Sequence, residues 1–255
     1  MPSAPEGPGK KLRADQSLVE RGLAETRTRA QALILAGKVF SGERRIEKAG
    51  QAVAADQPLE VRGQDHPWVS RGGLKLEHAL RFFGLSPGGR VCLDVGASTG
   101  GFTDVLLAHG AARVHAVDVG HGQLAWKLRR DARVVVHEKT NARFLTQDDI
   151  REPVGALVCD ASFIGLRTLL PAPLALCEPG AWAIALIKPQ FEAGRAAVGR
   201  NGVVRDPAVR AEVCQTITAW WSELPGWSVH GVTDSPIAGA QGNHEFLIAA
   251  TYDKK

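Results

Sequence analysis

Residues 92–101 read CLDVGASTGG. A short apolar run, RVCLDV, carries an acid near its end and opens into a Gly-rich loop. A helix-like segment, GGFTDVLLAHGA, follows at once. Strand, Gly-rich turn and helix N-terminus together make a pocket for a nucleotide or nucleoside. Gly96 and Gly101 let the backbone turn tightly and approach a ligand where a Cβ would collide.

Outward from this stretch, strands and helices alternate. RVHAVDVG is followed by a helical piece near 122–130, RVVVHEKT and GALVCDAS. Then come a helix over 166–177, WAIALIKPQ, a helix over 206–222, WSVHGVTDS and EFLIAATY. Alternation of this kind predicts an α/β fold: a mostly parallel sheet with helices on both faces. Only SPIAGAQGNH separates the last two strand-like runs, too little for a helical crossover, so they are expected to pair antiparallel. A parallel sheet with an antiparallel final strand is the outline of the Rossmann-like methyltransferase sheet.

The N-terminal quarter has a different texture. Residues 1–11 read as a disordered tail, 12–62 as a compact α+β unit, and 63–68, GQDHPW, as a linker to a larger domain over 69–255. Within 12–62, LRADQSLVERGLAE forms a helix ending near Gly22. TRTRAQALILAGKVFSG forms a second, capped by Thr26 or Thr28 and ended by Gly37. KVFSG and PLEVRG are strand-like. Arg27 and Arg29 open the second helix, where cations oppose the helix dipole, which suggests phosphate contact. Residues 1–62 hold 11 Lys+Arg against 8 Asp+Glu, and the rest 20 against 19, so most of the net charge of +4 sits here. An acidic partner fits that placement, and so does a solvated surface. This unit resembles the small S4-like RNA-binding domain. The resemblance implies RNA contact through Arg21, Arg27, Arg29, Lys38, Arg44 and Arg45.

Composition narrows the classes. With 44% hydrophobic and 23% charged residues the chain is an ordinary globular one. AWAIALI, the best apolar run, is strand-length, and MPSAPEGPGKK has no apolar core for a secretory signal. Cys92, Cys159, Cys177 and Cys214 form no CxxC pair and read as small buried hydrophobes in a reducing cytoplasm. The eight histidines show no metal spacing. Trp220, Trp221 and Trp227 read as core or interface residues.

The loop GASTGG matches G-x-G-x-x-G only with Ser98 in place of the middle glycine. A side chain there hinders approach to a pyrophosphate, and Asp94 adds negative charge. S-adenosyl-L-methionine has no phosphate, and its sulfonium and ammonium groups tolerate a carboxylate. Asp118 ends the next strand, placed for ribose hydroxyls, and Asn141 with Ala142 can bracket an adenine. These residues favour a methyl donor over a nicotinamide, and a Gly-rich turn that merely packs a helix is the bland alternative.

Four polar residues stand where a simple core wants none: Lys75 in SRGGLKLEHAL, Asp160 after GALVC, Lys188 after AIALI, and Glu245 before FLIAATY. Asp160 and Lys188 lie at carboxyl ends of strands, where open α/β sheets place ligands. VSRGGLKLEHAL, DVGASTGGFTDVLL, VDVGHGQL, CDASFI, LIKPQFEAGR and NHEFL together resemble the TlyA-type, or haemolysin A, ribosomal RNA methyltransferases, within the FtsJ-like 2′-O-methyltransferases. The resemblance implies a catalytic set of Lys75, Asp160, Lys188 and Glu245. It also implies S-adenosyl-L-methionine bound by Asp94, Gly96, Ser98, Gly100, Gly101, Asp118 and Asn141. The expected substrate is the ribose 2′-hydroxyl of ribosomal RNA, free or in ribosomal subunits. A deprotonated Lys188 would take up its proton, and Lys75 and the carboxylates would push the basicity of Lys188 in opposite directions. Arg71, Lys127, Arg129, Arg130 and Arg195 extend the RNA track, and Gly199 with Asn201-Gly202 suggests a loop over the substrate. A cytoplasmic monomer or weak dimer is expected. The rivals are a non-catalytic ribosome-assembly protein and a membrane-active haemolysin; no apolar span supports the latter.

Overall fold

The structure is a computed structural model that describes residues 11–24, 26–62, 66–194, 197–199 and 202–253. The tail up to residue 10, linker residues 63–65, Arg195 and Asn201 lie outside the described residues.

In the N-terminal part, β1 (Leu12–Arg13) pairs with β4 (Ala52–Val53), and α1 (Ala14–Glu20) packs on α2 (Arg27–Leu35). A small antiparallel sheet sets β2 (Val39–Ser41) between β3 (Arg44–Arg45) and β5 (Glu60–Val61). Both helices stop as expected, at Gly22 and Gly37, each at φ +68°. Thr26 is the cap of α2; its hydroxyl accepts the Arg29 N–H at 3.1 Å. Leu18, Leu33, Ile34, Val39, Ile46 and Val53 close a small core.

Arginine at the start of α2 has a local explanation. Asp15 is fully buried, and its carboxylate accepts from Arg13 (3.0 Å), Gln31 (3.0 Å) and Arg27 (2.9 Å). These donors, Arg13 foremost, hold the Asp15 carboxyl well below the usual carboxylate range. Arg27 thus staples α2 to the start of α1. Arg21 is likewise engaged, donating to the carbonyls of Ala54 (2.9 Å) and Gln57.

The larger part is a seven-stranded sheet between helices. Its strands are β6 (Val91–Val95), β7 (Arg113–Val117), β8 (Val134–His137), β9 (Val154–Cys159), β10 (Cys177–Ile187), β11 (Trp227–Asp234) and β12 (Phe246–Tyr252). Their order is β11-β12-β10-β9-β6-β7-β8, and β12 alone runs against its neighbours. The order reverses between β6 and β9, so a crevice opens there at the carboxyl edge. Both faces are covered, one by α3 (Gly72–Phe83), α4 (Gly101–Ala108) and α5 (Trp126–Arg129). The other carries α6 (Leu166–Leu169), α7 (Pro171–Leu174), α8 (Pro189–Glu192) and α9 (Pro207–Ser222). Trp221 and Trp227 are buried in that second layer, and Cys92, Cys159 and Cys177 are buried free thiols.

One expectation needs correction. The helix read over 166–177 is two short turns, α6 and α7, because Pro171 and Pro173 remove amide donors, and Cys177 already belongs to β10. The segment holding Lys75 is the twelve-residue helix α3, with Leu76, Ala79 and Leu80 inward. Its opening Gly72-Gly73 pair masks the helical signal.

Gly73 is required for packing. Glycine inside a helix costs about 1 kcal/mol relative to alanine. Here a Cβ would lie 2.4 Å from Cγ of the buried Trp68, whose indole N–H donates to Glu77 at 3.1 Å. Gly73→Ala is therefore expected to destabilise by about 1–3 kcal/mol through overpacking, lowering Tm by several degrees in a thermal melt. An unchanged or raised Tm refutes this reading of the contact.

Candidate active site

β6 delivers Asp94 beneath the Gly-rich turn. The carboxylate is completely buried, and its Oδ2 accepts from the Thr103 hydroxyl at 2.6 Å. Among the described residues its Oδ1 has no hydrogen-bond partner. Burial pushes this carboxyl up to about 7. A buried acceptor without a donor marks a place for a ligand cation or N–H group.

The turn above it is shaped by close approach. Gly96 has φ +83°, and a Cβ there would meet the Ala161 backbone at 2.8 Å. Gly100, at φ +94°, faces Leu128 at 2.2 Å on the same construction, and Gly101 faces the Ser70 hydroxyl at 2.3 Å. Ser98 takes the left-handed region at φ 47°. Its N–H donates to Asp118 Oδ2 at 2.8 Å, and the Gly120 N–H donates to Asp118 Oδ1 at 2.7 Å. Asp118 therefore ties the Gly-rich turn to the loop after β7 and lines the pocket between them. Ala97, Ser98, Asp118, Gln123, Leu124 and Glu138 line that pocket.

Gln123 and Glu138 were not singled out from sequence. Gln123 accepts from the Ser98 hydroxyl at 3.2 Å, and Glu138 accepts from the Gly122 N–H at 2.7 Å and pairs with Arg129. Their only signal is position just past a strand carrying Asp118 or preceding Lys139. Asn141 is not among the lining residues; its Oδ1 accepts the Arg143 N–H at 3.1 Å and caps the turn Ala142–Phe144.

The four polar residues from distant segments meet. Lys75 projects from α3 and donates to Glu245 Oε2 at 2.7 Å, and its Nζ lies 3.8 Å from Asp160 Oδ2. Lys188 Nζ is 2.6 Å from Asp160 Oδ1, an ion pair without hydrogen-bond angles. The Lys188 ammonium donates to the Ser162 hydroxyl (3.0 Å) and the Asp160 carbonyl (3.2 Å). Charges thus alternate along a row, Glu245, Lys75, Asp160, Lys188, with Asp160 the most exposed at 21%. Opposed strand direction explains the last member: Ile187 pairs with Phe246, so Glu245 starts beside Lys188.

Two features of this edge escaped the sequence reading. Ser162 holds the Lys188 ammonium. Phe163, four residues past the end of β9, has φ 68° and is 90% exposed, its ring 5.3 Å from that of Phe191. A strained, exposed aromatic beside the charged row is the shape of a stacking surface. No sequence pattern signals its backbone angle.

The cations expected on RNA divide into two groups. Arg21, Arg27, Arg45, Lys127 and Arg129 are each engaged internally, by backbone carbonyls, Asp15, Glu47, Asp104 and Glu138 respectively. Arg29, Arg44 and Arg71 are exposed, as is Lys38, which has an interaction of its own.

Among the described residues no helix is long and apolar enough to cross a membrane. The FtsJ-like methyltransferase family model matches residues 68–252, and the S4 domain model residues 12–57. A Bacillus subtilis protein provisionally named rRNA methyltransferase YqxC is 51% identical over 94% of this chain and 85% of its own. The 16S/23S rRNA (cytidine-2′-O)-methyltransferase TlyA of Mycobacterium tuberculosis is 48% identical over 94% of this chain and 89% of its own. A solved structure from Streptococcus thermophilus, provisionally named a hemolysin, superposes with a TM-score of 0.75 at 42% identity, covering 96% of this chain and 90% of that one. The chain belongs to the FtsJ-like methyltransferases and carries an S4 domain in its N-terminal part.

Proposed function

We propose that this chain transfers the methyl group of S-adenosyl-L-methionine to a ribose 2′-hydroxyl of ribosomal RNA, free or within a ribosomal subunit, in the cytoplasm. On this reading residues 12–62 dock the RNA and 69–255 carry the chemistry. The observation that carries it is the row of Lys75, Asp160, Lys188 and Glu245 at the carboxyl edge, with Asp160 directly after the strand that pairs with β6 beneath the Gly-rich turn.

The donor group fits. Asp94 Oδ1 lacks a donor and suits an ammonium or an N–H group. Asp118 keeps acceptor capacity for ribose hydroxyls, and the glycines leave the turn without side chains. When bound, the sulfonium supplies an already electrophilic methyl carbon. What remains for the protein is to align a weak nucleophile and remove its proton. Lys188, after giving up one of its own protons to solvent, accepts the 2′-hydroxyl proton. Asp160, 2.6 Å away, then faces the resulting ammonium. Lys75, held by Glu245, keeps Asp160 in place from the other side. Phe163 offers its open face to the base of the same nucleotide.

Lys188→Ala is expected to lower the methyl-transfer rate by at least about 100-fold while cofactor affinity by calorimetry stays within about twofold. Normal turnover removes Lys188 from the chemistry. With tritiated donor and ribosomal RNA, label should resist alkali within a dinucleotide; label on a base overturns the ribose assignment.

Cofactor binding should depend on pH through Asp94. The free carboxyl titrates near 7, and a cationic ligand favours its charged form. The donor's own amine, ordinarily near 8, stays protonated below that pH. Affinity should therefore fall as pH drops below 7, approaching roughly tenfold per unit for one coupled proton. Asp94→Asn should bind weakly with little pH dependence; a wild-type affinity flat from pH 5.5 to 7.5 contradicts this role.

Gly239 tests the support of Glu245 from outside the row. Its φ of −75° suits alanine, but a Cβ would lie 1.9 Å from Glu245 Oε1. Gly239→Ala should lower kcat by roughly tenfold or more with cofactor affinity unchanged. An unaltered kcat shows that Glu245 is not needed in its observed place.

A further inference from the structure

We propose that Trp126 and Arg130 form a nucleobase-stacking platform on α5, at the seam between the S4 domain and the methyltransferase sheet, gripping the RNA outside the target nucleotide. This rests on the RNA-methylating reading above.

The short helix α5 carries three cations around one indole. Lys127 pairs with Asp104 at 2.9 Å, and Arg129 pairs with Glu138 and donates to the Leu124 carbonyl at 3.1 Å. These two are spent on the fold. Arg130 has no carboxylate partner among the described residues, and its guanidinium carbon lies 4.5 Å from the centroid of the Trp126 ring. The indole is 51% exposed, although Leu124, Ala125 and Leu128 beside it are buried. Packing α5 therefore leaves the Trp126 ring half outside, with an unneutralised planar cation against it. A flat π-face paired with a guanidinium suits a nucleobase and its phosphate, because stacking and cation–π attraction act together there.

Position supplies the second observation. Ala125, adjacent to Trp126, is where the S4 domain touches the larger part: a Cβ on Gly22 would sit 2.5 Å from that of Ala125. The Ala125 N–H also donates to the Thr99 carbonyl in the cofactor turn at 3.1 Å. An RNA strand held by the S4 domain and reaching the edge at Lys188 meets both parts, and Trp126 stands where they join. The platform continues an RNA-facing surface.

The test compares Trp126→Leu, Trp126→Phe and Arg130→Gln in the full chain, with tritiated methyl transfer to protein-free ribosomal RNA and to ribosomal subunits. Trp126→Leu should raise the KM for RNA roughly tenfold with kcat and cofactor affinity unchanged, and Trp126→Phe should stay near wild type. Arg130→Gln should reduce the slope of log KM against log salt by about one. A wild-type KM for Trp126→Leu overturns the platform. So does a loss of cofactor affinity in that variant, which assigns the ring to the fold. So does a defect seen with subunits but not with free RNA, which assigns it to a protein partner. A wild-type chain that methylates no RNA instead defeats the proposed function itself, so the two failures are distinct.

Discussion

Alternation of charge along Glu245, Lys75, Asp160 and Lys188 is the constraint on which the site depends. Removing one partner from a buried ion pair costs about 3–5 kcal/mol, because the other is left without compensation. Lys75, Lys188 and Glu245 have little solvent to fall back on, so each is tolerable only with its neighbour in place. They come from α3, the end of β10 and the turn before β12, and Asp160 comes from the end of β9. The row thus forms only when the reversed strand β12 has joined the sheet.

The same logic of close approach governs the turn after β6. Each glycine there meets a particular neighbour, Ala161, Leu128 or Ser70. These neighbours come from the strand beside β6, from α5 and from the residues before α3. The turn is therefore clamped by the elements that also carry Asp160 and Lys75. Beneath it Asp94 remains short of one donor. A fold that satisfies Asp15 with three side chains but leaves Asp94 with one keeps an unfilled demand where a cationic ligand can meet it.

Local pattern made much of this legible. β-strand spacing, the acid before the Gly-rich turn and the lone polar residue after each apolar run are short-range signals, and they placed Asp94, Asp118, Asp160 and Lys188 on one edge. What stayed hidden depends on distance or on backbone angle. Arg27 reads as a phosphate contact until Asp15, twelve positions earlier, is seen to hold it. Lys75 is legible as a misplaced polar residue, but its helix α3 starts on Gly72 and Gly73, and the need for Gly73 comes from Trp68. Phe163 stands out only through exposure and a left-handed φ, and Gln123 through its reach to Ser98.

Contacts near the Gly-rich turn also hold residues 69 and 70, which join the two parts. The Val69 N–H donates to Asp104 at 2.8 Å, and the same carboxylate oxygen accepts from Lys127. Ser70 packs on Gly101, one residue from the start of that turn's last bend. On the opposite flank, Gly22 presses on Ala125, which is bonded to Thr99. The chain between S4 domain and sheet therefore touches the turn from one side, while the S4 domain reaches it from the other only through Ala125. Only a residue without a Cβ fits at 22 and at 101, and both positions are glycine. Ala125 directly follows Gln123 and Leu124, which line the pocket beside the Gly-rich turn.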